Sequence, residues 1–210
     1  MQDAVMTSTT VHLAVLDTMA DWEVGHLAAH LRHLGGQSPV GGFTLATVAA
    51  RPGPVRTMGG LTVLPDLVLA DLDPADSAML VLPGGRTWTD PEVAGPFVDA
   101  ARAHLAARVP VAAVCGATWA LAAAGLLDDV RHTSNDPGFL ASSGYAGGER
   151  YVHEPAVVDG DVVTATGIDP VHFAMAVFRR LGAHPAERID SYGRLYADHD
   201  PAGYFELESA

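Results

Sequence analysis

The stretch VPVAAVCGATWALAAAGLL, residues 109–127, decides the fold. It carries no charge and holds the chain's one cysteine, Cys115. On length alone it approaches the roughly 20 apolar residues that cross a bilayer. Its content divides it instead. Pro110 sits near the start, Gly116 lies mid-run, and seven alanines dilute the hydrophobicity. Val111–Val114 is a short apolar run with β-branched ends, as in a buried parallel strand. Cys115-Gly116 is a break, and Ala117–Ala124 is an alanine-rich helix that Gly125 ends. The reading is strand, tight turn, helix, with no membrane span.

Outward from this unit the chain alternates strands and helices. His12–Leu16 is a first strand, and Val24–Leu34 a helix with Leu27, Leu31 and Leu34 on one face, stopped by Gly35-Gly36. Thr44–Ala49 is a second strand, and Arg56–Leu61 a hairpin around Gly59-Gly60. Met79–Leu82 is an uncharged strand running into Pro83-Gly84-Gly85, and Pro91–Ala107 an amphipathic helix with proline suited to its first turn. Val157–Val163 is a hairpin with an Asp159-Gly160 turn. Pro170–Leu181 is a helix, and the tail from Pro185 to Tyr204 is helical. The alternation predicts a doubly wound, mostly parallel α/β sheet with helices on both faces. No internal repeat, low-complexity block or linker divides the chain, so one domain is expected over residues 11–210.

Composition narrows the function. The 25 acidic residues against 12 basic give a formal net charge of -13. That argues against nucleic acid, which needs a basic face, and against anionic lipid. The N-terminal MQDAVMTSTT has no basic or apolar region of a secretory signal; residues 1–10 are expected to be a disordered leader, with Met1 or Met6 as the start. One cysteine makes no internal disulfide, which fits a reducing, cytoplasmic compartment.

In a doubly wound sheet, ligands sit beyond the C-terminal strand ends. Three features land there: Asp17–Glu23 after the first strand, Gly84-Gly85 after a middle strand, and Cys115-Gly116 after the next. A residue on a strand-to-helix turn points out of it, as a nucleophile-elbow serine does. The helix that follows offers unpaired N–H groups and a partial positive charge, so Cys115 is expected to be a low-pKa thiol. Gly116 admits close backbone approach, Gly84 and Gly85 are candidate oxyanion donors, and a carboxyl of the first loop is a candidate acid or base.

Leu82–Gly85, Val111–Thr118 followed by Leu121–Leu127, Arg131-His-Thr-Ser-Asn135, and the Asp159-Gly160 hairpin followed by Thr164-Ala-Thr-Gly167 together resemble the DJ-1/PfpI superfamily, relatives of the class I glutamine amidotransferases. The resemblance covers residues 11 to 182. It implies a flavodoxin-like fold, a nucleophilic or oxidisable Cys115, an acidic partner in the first loop, and a homodimer. Glu23 is the favoured partner and Asp21 is kept beside it. His132 matches a family histidine near the cysteine pocket, and Thr133 follows it as a candidate substrate contact. No metal or cofactor is implied. The chain departs from the protease-like members in one position: Gly116 stands where they carry histidine. It also has no late His-x-Glu of the amidotransferase triad and no C-terminal helix-turn-helix. Peptidase and amidotransferase activities are therefore not expected.

Each residue also has a plain structural use. A lone cysteine is commonly an inert buried apolar residue. Glu23 offsets a helix dipole, Asp21 serves as a helix N-cap, and Thr133–Asn135 supply turn chemistry. Trp119 is expected in the core and Trp88 at a lid over the pocket. His26, His30 and His33 are expected on a solvated helix face rather than around a metal. Three functions stay open: a cysteine-dependent hydrolase, hydratase or glyoxalase-like enzyme on a small electrophilic or carbonyl substrate; an oxidation sensor; and a non-catalytic binding module.

Overall fold

The computed structural model describes residues 8–35 and 42–209. The choice between Met1 and Met6, and Gly36 with its part in stopping the first helix, lie outside them.

In chain order the elements are β1 (Thr10–Ala14), α1 (Asp21–His30), β2 (Thr44–Ala49), β3 (Val55–Arg56), β4 (Thr62–Val63), β5 (Leu67–Val68), β6 (Met79–Leu82), α2 (Pro91–Ala106), β7 (Val111–Val114), α3 (Gly116–Ala123), α4 (Pro137–Ala141), β8 (Ala156–Asp159), β9 (Val162–Ala165), α5 (Pro170–Leu181), α6 (Ala186–Tyr196) and α7 (Ala202–Ser209). The main sheet has the order β5-β2-β1-β6-β7-β9-β8. All its pairings are parallel except β8 on β9. This is the doubly wound, flavodoxin-like arrangement. The central strands β6 and β7 are buried along their whole length, which is why they carry no charge. On one side α1 packs on α5; on the other α2 contacts β6 and β7, and α3 contacts β7.

The uncharged stretch 109–127 is β7 followed by α3, and Gly125 takes a φ of 72° at its end. Among the described residues no helix is long and apolar enough to cross a membrane. Leu27, Leu31 and Leu34 are buried as the helical spacing predicts, although α1 begins three residues early and ends at His30. The β3–β4 hairpin stands apart from the main sheet and docks on the first loop, where Thr18 N–H donates to Arg56 O and Met58 N–H to Met19 O.

Several expectations need correction. The leader does not extend to residue 10: Thr10 opens β1 opposite Thr44, and the Ser8 hydroxyl donates to Asp76 O at 2.5 Å. The tail is two helices, because His199 adopts φ 57° and Pro201 follows it. Asp200 caps the second, accepting from Ala202 N–H at 2.9 Å. Thr133–Asn135 lead into α4, which Asp136 caps by accepting the Phe139 N–H. The histidine face of α1 is not free of partners. His26 Nδ1 lies 2.6 Å from the Tyr192 hydroxyl, and His30 packs on Tyr192 and Tyr196 from α6. Only His33 of the three is exposed.

Candidate active site

Four strand ends build the site. The first turn of α1, after β1, and the loops after β6, β7 and β9 bring Glu23, Gly84, Cys115 and Gly167 to one edge of the sheet. Cys115 sits between β7 and α3 with φ 55° and ψ -122°, a conformation that side chains rarely adopt. It is held there by its N–H on Ala165 O at 3.1 Å and by the Thr118 hydroxyl on its carbonyl at 2.5 Å. The elbow expected from the sequence is therefore present, with the thiol half-buried.

Asp21 and Glu23 separate cleanly. Asp21 turns to the β3–β4 hairpin, where its Oδ2 accepts the Gly59 N–H at 2.6 Å. Burial alone would raise its pKa; the Thr57 hydroxyl and Gly59 N–H outweigh that and hold the carboxyl low. It is the first residue of α1, and Ala20 occupies the N-cap, so the expected capping role is not found. Glu23 is fully buried beneath the cysteine. Its Oε2 accepts the Gly84 N–H at 2.6 Å. Its Oε1 makes no aligned hydrogen bond among the described residues. A methyl group built on Gly167 would meet Glu23 Oε1 at 2.6 Å and Cys115 Sγ at 3.0 Å, so both atoms border the same small space. Only a glycine fits there.

The electrostatics correct the expectation of an acidic thiol. Burial pushes Glu23 above the usual carboxylate range, against the opposing pull of Cys115 and the Gly84 N–H. Cys115 is pushed up to about 11. Burial is the main cause and the Glu23 carboxylate adds to it; the Asn135 amide and Gly116 N–H pull the other way. Burial thus keeps the proton on sulfur and disfavours the charged form of Glu23 as well.

The remaining predicted residues divide. Gly84 is not a free oxyanion donor, because Glu23 claims its N–H. Among the described residues no acceptor takes the Gly85 N–H, which leaves it as the candidate donor of the pair. At Gly116 a Cβ would meet Gly85 O at 2.8 Å and Trp88 Cδ1 at 2.9 Å. His132 is fully buried with both nitrogens engaged away from the sulfur, Nδ1 on Val130 O at 2.8 Å and Nε2 on the Tyr145 hydroxyl at 3.0 Å. The carbonyl can only accept, so Nδ1 carries a proton. Thr133 is also committed, through its N–H to Thr164 Oγ1 and its hydroxyl to Glu154 O. The tryptophans exchange places: Trp88 is 1% exposed, packed on Phe97, while Trp119 is half-buried with its indole N–H on Ser142 Oγ.

Two residues join the site that sequence reasoning did not place in it. Asn135, expected to supply turn chemistry, donates from Nδ2 to Cys115 Sγ at 3.0 Å and accepts the Gly167 N–H on Oδ1 at 2.8 Å. Gly167 closes the space between thiol and carboxyl, and its carbonyl takes the Trp22 indole N–H at 2.9 Å. The sequence does carry a signal for Gly167, since it follows a parallel strand end like Gly84 and Cys115. Among the described residues no group of three His, Cys, Asp or Glu side chains is placed to hold a metal.

A buried cysteine elbow over a glutamate, on a doubly wound sheet, defines a class of α/β proteins with a cysteine at the head of a helix. Residues 9–180 match the DJ-1/PfpI family, and the chain belongs to it. It is 33% identical to the uncharacterized protease YoaZ of Bacillus subtilis over 96% of this chain and 97% of that one. It is 31% identical to a deglycase of Pyrococcus abyssi over 67% of this chain and 83% of that one. The crystal structure of a ThiJ/PfpI family protein from Bacillus anthracis superposes with a TM-score of 0.87 at 36% identity, covering 97% of each chain.

Proposed function

We propose that this protein is a cysteine-dependent enzyme acting on a small electrophilic or carbonyl compound, by hydrolysis, hydration or glyoxalase-like chemistry. The observation that carries the reading is the enclosed pair of Cys115 and Glu23, which border one space beside Gly167. A thiol held at about 11 is not a standing thiolate, so addition needs a base at the moment of attack. Glu23 is that base. As Sγ bonds the substrate carbon, the carbonyl π bond opens onto oxygen. The thiol proton passes to Glu23 and from there to that oxygen, giving a thiohemiacetal with no net proton change. An acyl substrate instead loses its leaving group, which departs with the thiol proton relayed by Glu23, and water cleaves the remaining thioester to a carboxylic acid and the free thiol.

The protease name of YoaZ does not carry over. A histidine after the cysteine has no room, because Trp88 and Gly85 O fill that space. The deglycase relative is in keeping with a carbonyl-type substrate. The family's dimeric habit extends to this chain in the same proposal. Trp22 and Ile168 beside the site, 51% and 85% exposed, supply apolar surface for a second copy. A reducing cytoplasmic setting fits the single free thiol.

The test is turnover of 2-oxoaldehydes, simple aldehydes and activated esters by wild type and Cys115→Ser, with intact mass after mild peroxide. Turnover that disappears in Cys115→Ser supports the proposal. Absence of turnover with a gain of about 32 Da would favour the sensor, and absence of both a binding module.

A further inference from the structure

We propose that Asn135 is a catalytic residue of this site: its amide, turned by the Gly167 N–H so that Nδ2 faces the sulfur, stabilises the Cys115 thiolate as it forms. Its meaning in turnover rests on the proposed nucleophile, but its effect on the sulfur does not.

The orientation of the amide follows from its partners. The backbone N–H of Gly167 can only donate, so the atom 2.8 Å from it is the amide oxygen. The atom 3.0 Å from Sγ is then the nitrogen. A flipped amide would set two donors against each other at Gly167 and an oxygen lone pair against sulfur. The side chain is therefore a dedicated donor to Cys115. It cannot take the thiol proton, which leaves Glu23 to do so.

A donor of this kind discriminates between the two states of the sulfur. A hydrogen bond to an ionised acceptor is roughly twice as strong as one between neutral groups. The Asn135 contact is weak while the thiol is protonated and strengthens as the proton leaves, which is the differential binding that lowers a barrier. A neutral amide does this without adding a positive charge. It opposes burial and the Glu23 carboxylate, yet leaves the resting thiol protonated.

The amide is also held in place. Ser134 Oγ lies 2.7 Å from Thr118 Oγ1, and Thr118 itself donates to Cys115 O. Ser134 is thus the donor to Thr118. The Tyr151 hydroxyl holds Ser134 O at 3.0 Å, and Thr133 is fixed to Thr164 on β9. The buried Thr133 and Ser134 anchor the exposed Asn135 to the elbow whose sulfur it serves. Positioning to within a fraction of an ångström is what such a contact requires.

The test reads the sulfur directly: the rate of Cys115 alkylation by iodoacetamide against pH, followed by intact mass, in wild type, Asn135→Asp and Asn135→Ala. Asn135→Asp keeps the oxygen for Gly167 N–H but presents a second oxygen to the sulfur. Its alkylation curve should move to higher pH, and at neutral pH the reaction should slow about tenfold for every whole pH step the curve moves. Asn135→Ala should move in the same direction by less. In a turnover assay the same variants should lose kcat with little change in KM. An Asn135→Asp curve that overlays wild type would overturn the inference, and so would an Asn135→Ala curve that does the same. Because alkylation needs no substrate, displaced curves alongside absent wild-type turnover would sink the proposed reaction and leave the role of Asn135 standing.

Discussion

Glu23 Oε2 accepts the Gly84 N–H at 2.6 Å, and this bond fixes a carboxyl from the first turn of α1 beneath the end of β6, beside the cysteine that follows β7. It spends the N–H that would otherwise face a substrate oxygen. It also leaves Oε1, buried and without an aligned partner, as the oxygen on the side of the thiol. A buried carboxyl with one oxygen satisfied and one free is poised to receive a proton.

Glu23→Gln separates the two ways in which the carboxyl acts. The amide oxygen can still accept the Gly84 N–H, so the loop should hold. The negative charge that helps raise the thiol is removed, so the Cys115 titration should move below about 11 and alkylation at neutral pH should speed up. Turnover should fall on the order of 10²–10⁴-fold, the usual worth of a general acid or base. A faster thiol in a slower enzyme is the expected signature, read from paired alkylation and steady-state assays. Retained turnover would remove Glu23 from the mechanism.

Gly116→His tests the departure from the protease-like pattern. A Cβ at 116 would lie 2.8 Å from Gly85 O and 2.9 Å from Trp88 Cδ1. Trp88 cannot retreat easily, because it is buried and packed on Phe97. Overpacking of this kind costs about 1–3 kcal/mol. The variant should lose stability in urea by that amount and gain no peptidase activity on casein. Wild-type stability would show that the elbow has more room than its neighbours suggest.

Much of this fold is legible in the sequence because burial writes itself into composition. Met79–Leu82 and Val111–Val114 are uncharged since both faces of those strands are covered, and Cys115 stands where the second run breaks. The leucine spacing of Leu27, Leu31 and Leu34, in α1 and just beyond it, likewise follows from one buried side. Short elements are not legible: β5 is two residues long and α4 five, too brief for a period to show. Partnerships across long separations are hidden as well. Nothing near His26 announces Tyr192, and nothing near Gly84 announces that Glu23 claims its N–H. The acidity of Cys115 is misjudged from sequence for the same reason, since a helix terminus is visible locally while burial and a buried carboxylate are not.

The exposed Ile168 lies next to Gly167, whose carbonyl is bound by the exposed Trp22. A second copy covering this face would shield both. Ile168→Asp should then halve the mass found by light scattering at micromolar concentration. A monomeric wild type would instead leave this surface without a like partner.

A buried chain at the other end of the sheet makes stability depend on pH. His12 Nδ1 lies 2.7 Å from Ser77 Oγ, which lies 3.0 Å from His104 Nε2, while His104 Nδ1 meets Ala100 O at 2.7 Å. The carbonyl requires a proton on His104 Nδ1, so Nε2 accepts from Ser77 and the Ser77 oxygen accepts from His12. The chain of bonds holds only while His104 is neutral, because its Nε2 must accept. Burial holds both histidines below the ordinary imidazole range, and at His12 the charge of His104 adds to it; Asp76 at His12, and Ala100 O with Asp73 at His104, only partly offset this. Below about pH 6.5 the unfolded chain therefore binds more protons than the folded one. Stability should be fully present above that pH and fall steadily as the pH drops towards the depressed folded values. Urea melts between pH 5 and pH 8 check the slope. Ser77→Ala should cost about 1–3 kcal/mol at neutral pH by leaving His104 Nε2 without its donor. A flat profile across that range would mean that the two rings titrate alike in both states.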